Sequence, residues 1–357
     1  MKYWAAERSP TRTAEQEELL LTYLTRTYEA LARLEEADFA DLFTAPVQAQ
    51  ASAATVAFQV GMRTLIEDVD YSLTSYRYTL VCEEISVQED GSVAISAAIE
   101  STEHFAQLPG VDAQRNQLFH RLVLEETVDG WKLRQHWQFD ALYSQLMRAA
   151  GSWEGDFTAD YIAAVPAYLE TLADYQAQRE TQRGETAELP AASDPYDREA
   201  ALAYADQYAL DRNSGWPDYT GQGGNCQNYV SQCLLAGGIP VDAAGDAVWT
   251  YDDGVHDRSG SWASVTQFLR YAAGNTGFGL AALTDAPYFT GEPGDLIQMG
   301  TKDSWHHVVL IRDLVTDEVG NTVDYLVNSN TNDMRNYPAS LYGYPVFALT
   351  RISGWNA

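Results

Sequence analysis

Two long alternating stretches, each interrupted by an Asp-Gly pair, constrain the first half of this chain more tightly than any other feature. "YRYTLVCEEISVQEDGSVAISAAIE" breaks at Asp90-Gly91, and "FHRLVLEETVDGWKLRQHWQF" breaks at Asp129-Gly130. Asp-Gly supplies the positive-φ residues of a tight turn, and period-two alternation on either side turns one strand face toward a core. These runs therefore predict antiparallel hairpins. Ahead of them, Thr13 and Gln16 have the spacing of a capping box, and Leu20, Leu24, Tyr28, Leu31 and Leu34 then recur at helical intervals. A second helix is expected within "QAQASAATVAFQVGMRTLIEDV". Helices followed by an antiparallel sheet define a small α+β domain, expected over residues 1–150, with one sheet face laid over the helices.

The outline of this domain resembles a cystatin-like or NTF2-like cone. Cys82 falls inside one of its strands, where a small half-buried packing residue fits. His104, His120 and His136 are spaced at intervals of 16, which match no metal motif, so surface or packing roles are expected of them. A helix over 158–182 follows, with Pro166 as an internal kink. "RGETAELPAASDP" then reads as a linker, being polar, small and proline-bearing. The expected organisation is an accessory domain at 1–150, a helix and linker at 151–195, and a second domain at 196–357.

Charge narrows the choice of partners. The 357 residues carry a formal net charge of -29, with no basic run. Such a surface repels phosphate backbones and anionic lipid, so neither nucleic acid nor membrane insertion is expected. No stretch approaches the roughly 20 apolar residues of a membrane span, and "MKYWAAERSPTRTAEQ" lacks the apolar core of a secretory signal. As given, the chain reads as soluble. Of the three cysteines, Cys226 and Cys233 would stand about 10 Å apart along a helix, too far to pair.

The second half contains the chemistry. "SDPYDREAALAYADQYAL" predicts a capped helix, and "NSGWPDYTGQGGNC" a loop ending at Asn225, a good N-cap. Cys226 then occupies the first turn of a helix that Gly237-Gly238 ends, with Tyr229, Val230, Cys233 and Leu234 on or beside its face. Unsatisfied N–H groups and the positive end of the macrodipole there favour a thiolate. Downstream, His306 and His307 open the strand "HVVLI", and "DYLVNSN" ends in Asn328 and Asn330. Alternation sends adjacent side chains to opposite faces, so only one histidine can face the cysteine. A cysteine, a histidine and an amide so arranged are the nucleophile, base and orienter of acyl transfer. Asp295 in "PGD" reads as a turn cap before its strand.

The blocks "YDREAALAYADQYA", "GGNCQNYVSQCLLAGG", "SWASVTQFLRY", "PGDLIQM", "WHHVVLI" and "NSNTND" occur in the order found in the putative amidase domain family of bacterial, often secreted or envelope-associated proteins. The chain resembles this family over roughly residues 196–350. The family looks like a branch of the papain-like superfamily near the CHAP and NlpC hydrolases. The resemblance implies a papain-like fold, with the nucleophile at a helix N-terminus packed on an antiparallel sheet. It implies Cys226 as nucleophile, His307 as general base and then acid, and Asn330 as orienter. The N–H of Cys226 would hold the oxyanion, with Gln222 as a second donor, and Trp216, Tyr219, Trp249 and Trp305 would line the cleft. No cofactor or metal is implied. The reaction would be amide or peptide hydrolysis through a thioacyl-enzyme, with peptidoglycan stem peptides, the substrate usually suggested for the family, or other peptides as substrate. A transglutaminase-type reaction shares the constellation. The alternative is a weak or inactive papain-like domain that binds a peptide or glycan. Location would be secreted or envelope-associated if a signal was removed, and cytoplasmic otherwise. Where the family usually has aspartate before the cysteine, threonine after it and often histidine at the third polar position, this chain has Asn225, Gln227 and Asn330.

Overall fold

Thr13 opens the first helix as the spacing predicts. Its hydroxyl accepts from Gln16 N at 3.2 Å, and its own N–H donates to Gln16 Oε1 at 3.2 Å, closing the reciprocal cap. In the computed structural model, the described residues are 13–151, 158–244, 248–252, 258–331 and 333–357. Residues 1–12, read above for a signal, lie outside them, as does Asn332 of "NSNTND". The chain divides into two compact units, Met1–Asp174 with Ser340–Gly343, and Tyr175–Ala339 with Tyr344–Ala357.

The first unit contains α1 (Ala14–Arg33), α2 (Pro46–Arg63), the strands β1 (Leu73–Val87), β2 (Val93–Phe105), β3 (Ala113–Thr127) and β4 (Gly130–Phe139), and α3 (Ala141–Ala149). α4 (Thr158–Glu180), with Pro166 inside it, carries the chain onward. The strands form an antiparallel meander in chain order. Its hairpins close where the Asp-Gly pairs stand, with Gly91 at φ 86° and Gly130 at φ 101°. α1 presents Leu20, Leu24, Tyr28 and Leu31 to the core, against Leu80, Ile95 and Leu122 of the sheet. Leu34 ends the helix in the left-handed region at φ 55° instead of extending its apolar stripe.

Two charged or polar groups sit where apolar packing would be expected. Glu103 on β2 has no exposure and is held by Arg63 from α2 at 2.7 Å and by Arg115 from β3. Burial raises its carboxyl, but the two guanidiniums outweigh burial and hold it low. His120 and His136, read from sequence as surface or packing histidines, stack at 5.1 Å with 8° between planes, and Nδ1 of the first meets Nε2 of the second at 2.8 Å.

The second unit contains β5 (Asp194–Pro195), α5 (Arg198–Tyr208), α6 (Cys226–Ala236), α7 (Gly260–Ala263), α8 (Val265–Gly274), β6 (Gly279–Ala286), β7 (Leu296–Thr301), β8 (Ser304–Thr316), β9 (Thr322–Ser329), β10 (Met334–Pro338) and β11 (Val346–Asn356). Its sheet runs β10-β9-β8-β7-β11-β5, with β6 also on β11, and the pairings are antiparallel. Helices α5, α6 and α8 supply Ala201, Val230, Leu234 and Phe268 to a core shared with Leu296, Val308 and Leu310. The fold is thus mixed α and β with antiparallel sheet. No helix among the described residues is long and apolar enough to cross a membrane.

Asp295 does more than cap its turn. It accepts from Glu292 N at 3.0 Å, but it also pairs with Arg198 of α5 at 2.9 Å and Arg351 of β11 at 2.7 Å, with no exposure of its own. Those partners lie far away in sequence, and nothing local announces them.

Burial pushes His120 well below the usual imidazole range and His136 to about 3. An unfolded chain takes up these protons near pH 6.5, whereas the folded unit refuses them. Stability should therefore fall as pH drops below about 6.5, and the ring resonances of both histidines should stay untitrated down to about pH 5. An NMR titration checks this, and protonation of either ring above about pH 6 in the folded protein contradicts it.

Candidate active site

Cys226 is the first residue of α6 and is 7% exposed. The helix begins here because Gly223 and Gly224 adopt φ 105° and 120°, turning the loop sharply enough to deliver Asn225 and Cys226 into the core. Unlike a one-faced amphipathic helix, α6 buries every residue from Cys226 to Leu234. Its polar members are correspondingly bonded. Asn228 donates to Pro217 O at 2.9 Å and accepts from Trp262 Nε1 at 2.8 Å. Ser231 donates to Trp262 O at 2.8 Å and accepts from Trp249 Nε1 at 3.1 Å. Gln232 accepts from Tyr204 at 2.6 Å.

The thiol meets opposing influences. Burial raises it, while the backbone N–H groups of Val308, Gln227 and Cys226 itself pull it down, and burial prevails. Burial thus opposes the thiolate that the helix mouth favours. Cys233, two turns deeper, is pushed up much further by burial.

The N–H of Val308 belongs to the residue directly after His307, so β8 brings that histidine's backbone beside the thiol. His307 is 5% exposed, and burial lowers its imidazole to about 4. His306 is half-buried and bonds Ser304 Oγ through Nε2 at 2.7 Å. The separation of the pair arises at a bulge. Met299 faces His307 and Gly300 faces Trp305, leaving His306 as the extra residue. A Cβ on Gly300 would lie 2.2 Å from Ser304 O, so the close approach that makes the bulge requires glycine. The ring of Tyr344 lies 6.3 Å from that of His307 with 15° between planes.

Asn330 was expected to accept from the imidazole, but its hydrogen bonds run elsewhere. Its Nδ2 donates to the carbonyls of Tyr208 at 2.9 Å, Ala209 at 3.3 Å and Asp211 at 3.0 Å, beyond and at the end of α5. Three carbonyls around one atom fix which end of the amide is nitrogen. The oxygen thus faces Asn225, whose Nδ2 donates to it at 2.6 Å. Asn225 does not cap α6 with its side chain. Its Oδ1 accepts from Tyr219 N at 3.1 Å and Asn228 Nδ2 at 2.8 Å, and its own N–H donates to Thr331 Oγ1 at 2.6 Å. Asp333 extends the junction by pairing with Arg212 at 3.0 Å. Asn328 is engaged with Asp206 at 2.9 Å and Asn336 N at 2.8 Å. Two of the three positions where the chain departs from its resemblance, Asn225 and Asn330, are therefore in contact.

Of the residues expected to line the cleft, Trp249 has no exposure and stands in the core, 5.1 Å from Trp262. Trp216 is half-buried and stacks on the other side of Trp262 at 5.4 Å, and Tyr219 is buried under the Arg258 guanidinium at 4.1 Å. Trp305 is half-buried at the start of β8, and Gln222 is exposed at the end of a short 3-10 turn. Trp262, the shared neighbour of Trp216 and Trp249, was not singled out from sequence, although "SWASV" carried it. Among the described residues there is no group of three or more His, Cys, Asp or Glu able to hold a metal.

Comparison with known proteins adds a class. The family model described as "Putative amidase domain" matches residues 195–347, which points to hydrolase chemistry for this part of the chain. Among curated proteins, the uncharacterized protein YhbB of Bacillus subtilis (strain 168) is 30% identical over 148 residues, 39% of this chain and 43% of its own length. The chain thus matches less than half of that relative. No solved structure is significantly similar to it.

The amide junction makes a paired prediction. Asn225→Asp places a carboxylate oxygen against Asn330 Oδ1 and should destabilise the protein by about 1–3 kcal/mol, whereas adding Asn330→His restores a donor and should recover most of the loss. Urea denaturation of the two variants measures this. Equal loss in both would show that the two positions act independently.

Proposed function

We propose that the second unit is a papain-like cysteine hydrolase of amide bonds, allied to the CHAP and NlpC hydrolases, with Cys226 as nucleophile and His307 as its base. The observation that carries the reading is the helix-mouth thiol receiving the N–H of Val308, one residue from a buried histidine. The amidase-domain match over 195–347 supports it.

In this mechanism the Cys226 Sγ–H proton passes to His307 as sulfur bonds the amide carbonyl carbon. The oxyanion is received by the N–H of Cys226 at the helix start, and Gln222 is the proposed second donor. His307 then protonates the leaving nitrogen as the C–N bond breaks, giving a thioacyl-enzyme and free amine. Water, deprotonated by His307, attacks the thioester, and the C–S bond breaks to release acid and restore the thiol. Both partners rest neutral because burial opposes charge on each, so proton transfer accompanies attack. Asn330 is assigned a positioning role, holding the start of α6 through Asn225. The substrate class is a peptide, with peptidoglycan stem peptides the leading candidates. The acidic chain favours a neutral or cationic one over anionic polymer, and an envelope or extracellular location would fit it.

His307→Ala should lower amide hydrolysis by about 10²–10⁴ fold, and Cys226→Ala should abolish it, while His306→Ala leaves it near normal. Activity that survives in the His307 variant and disappears in the His306 variant moves the base by one residue. If no variant differs from a wild type that itself lacks turnover, the domain binds peptide or glycan without cleaving it.

Iodoacetamide supplies a substrate-independent check. With the thiol raised by burial, alkylation of Cys226 should keep increasing with pH beyond the ordinary thiol value of about 8.5. A rate already on its plateau at neutral pH indicates a resting thiolate–imidazolium pair instead. In turnover, the acid limb should follow loss of the neutral His307 base, at about 4.

A further inference from the structure

A cavity of about 330 Å³ lies in the first unit, along β4 residues Gln135–Gln138 and against α2, Tyr143 of α3 and the start of α4. The chain carries 20% charged residues, so about two of the eleven described lining positions would ordinarily be charged, yet none of those is. An ion entering it would lose hydration without meeting a counter-charge among these eleven residues. The cavity therefore selects for neutral ligands.

The lining is not apolar either. Gln48, Gln135 and Gln138 bring primary amides, and Ser52, Thr55 and Thr158 bring hydroxyls. Each of these groups both donates and accepts, which matches a ligand dense in hydroxyls, since every ligand O–H does the same. Gln138 lines the cavity, and its buried Oε1 accepts no hydrogen bond among the described residues, so a turn of the side chain would offer an unused acceptor to a ligand O–H. Trp137 and Tyr143 add flat faces suited to the C–H side of a saturated ring.

The cavity is braced from behind. Tyr23 OH meets His136 Nδ1 at 2.8 Å, and His136 Nε2 meets His120 at 2.8 Å, so both nitrogens of that lining histidine are committed within the protein. Thr55 and Tyr161 are joined at 2.7 Å. Groups already held in place lose little freedom when a ligand arrives. The volume is at the small end of ligand sites, sufficient for roughly one or two sugar rings.

We propose that this cavity binds a neutral carbohydrate one or two pyranose units long, making the first unit a glycan-recognition module. The proposal is independent of the hydrolase reading, because every residue it uses belongs to the first unit.

The test is saturation-transfer NMR on the full chain with glucose, galactose, mannose, N-acetylglucosamine and their β-1,4-linked disaccharides, with glucuronate as the anionic control. At least one neutral sugar should bind saturably, and glucuronate should bind about tenfold more weakly or not at all. Gln138→Leu should weaken the bound sugar by about tenfold or more with an unchanged melting temperature, because the lost oxygen has no protein partner. Trp137→Ala should weaken it as well, and neither variant should alter alkylation of Cys226. The proposal is overturned if no neutral sugar in the panel binds, if glucuronate binds equally well, or if affinity is the same in both folded variants.

Discussion

The second unit is organised around one side-chain amide. Asn330 closes the end of α5 through three carbonyls and fixes the start of α6 through Asn225, so the loop between the two helices is held at both ends by a residue more than 100 positions downstream. A buried amide with all its bonds made specifies geometry, because any alternative placement leaves polar atoms unpaired in a low-dielectric interior. Since the pair is uncharged, it places no carboxylate beside the helix mouth to offset the positive end of α6. Burial likewise opposes charge on the thiol and the imidazole. A carboxylate at position 225 would change that electrostatic setting as well as the packing.

The elements that could be read from sequence are those whose causes are local. Thr13 and Gln16 announce their helix within one turn, the Asp-Gly pairs mark their hairpins within a few residues, and Gly223-Gly224 before Cys226 signals a forced helix start. What could not be read is held by distant partners. Asp295 is legible as a turn cap, but its ion pairs to Arg198 and Arg351 depend on tertiary packing. Asn330 stands at the expected strand end, yet its partners on α5 and at Asn225 depend on how separate segments come together. Periodicity marked one face of α6 as buried and missed the other, since Asn228, Ser231 and Gln232 look solvent-facing until their partners are known. Trp249 failed as a cleft residue for the same reason: an aromatic near the nucleophile in sequence was taken into the core by Ser231 and Trp262.

The charge of the chain and the character of its interior run in opposite directions. The chain carries a formal charge of -29, while the described residues lining the first-unit cavity are uncharged and burial in the second unit opposes charge on both Cys226 and His307. Buried charges do occur, but they are compensated, as Glu103 is by two arginines and Asp295 by two more. Net charge and the two interiors therefore involve different sets of residues. Changes in surface charge can tune encounter with substrate without disturbing either interior.

The first unit is not complete within its own half of the sequence. Ser340–Gly343 belongs to it, with Tyr168 OH donating to Gly343 O at 2.9 Å, and Gly343 lies so close to Leu142 that an added Cβ would come within 2.7 Å of that side chain. A ribosome making this chain releases the helices and the meander well before it releases the segment that finishes them. The amino-terminal unit therefore receives its last segment only after the sequence of the other unit has been translated. For the same reason, cutting the chain at the linker yields an amino-terminal fragment missing a piece of itself and a carboxy-terminal one carrying a segment that is not its own.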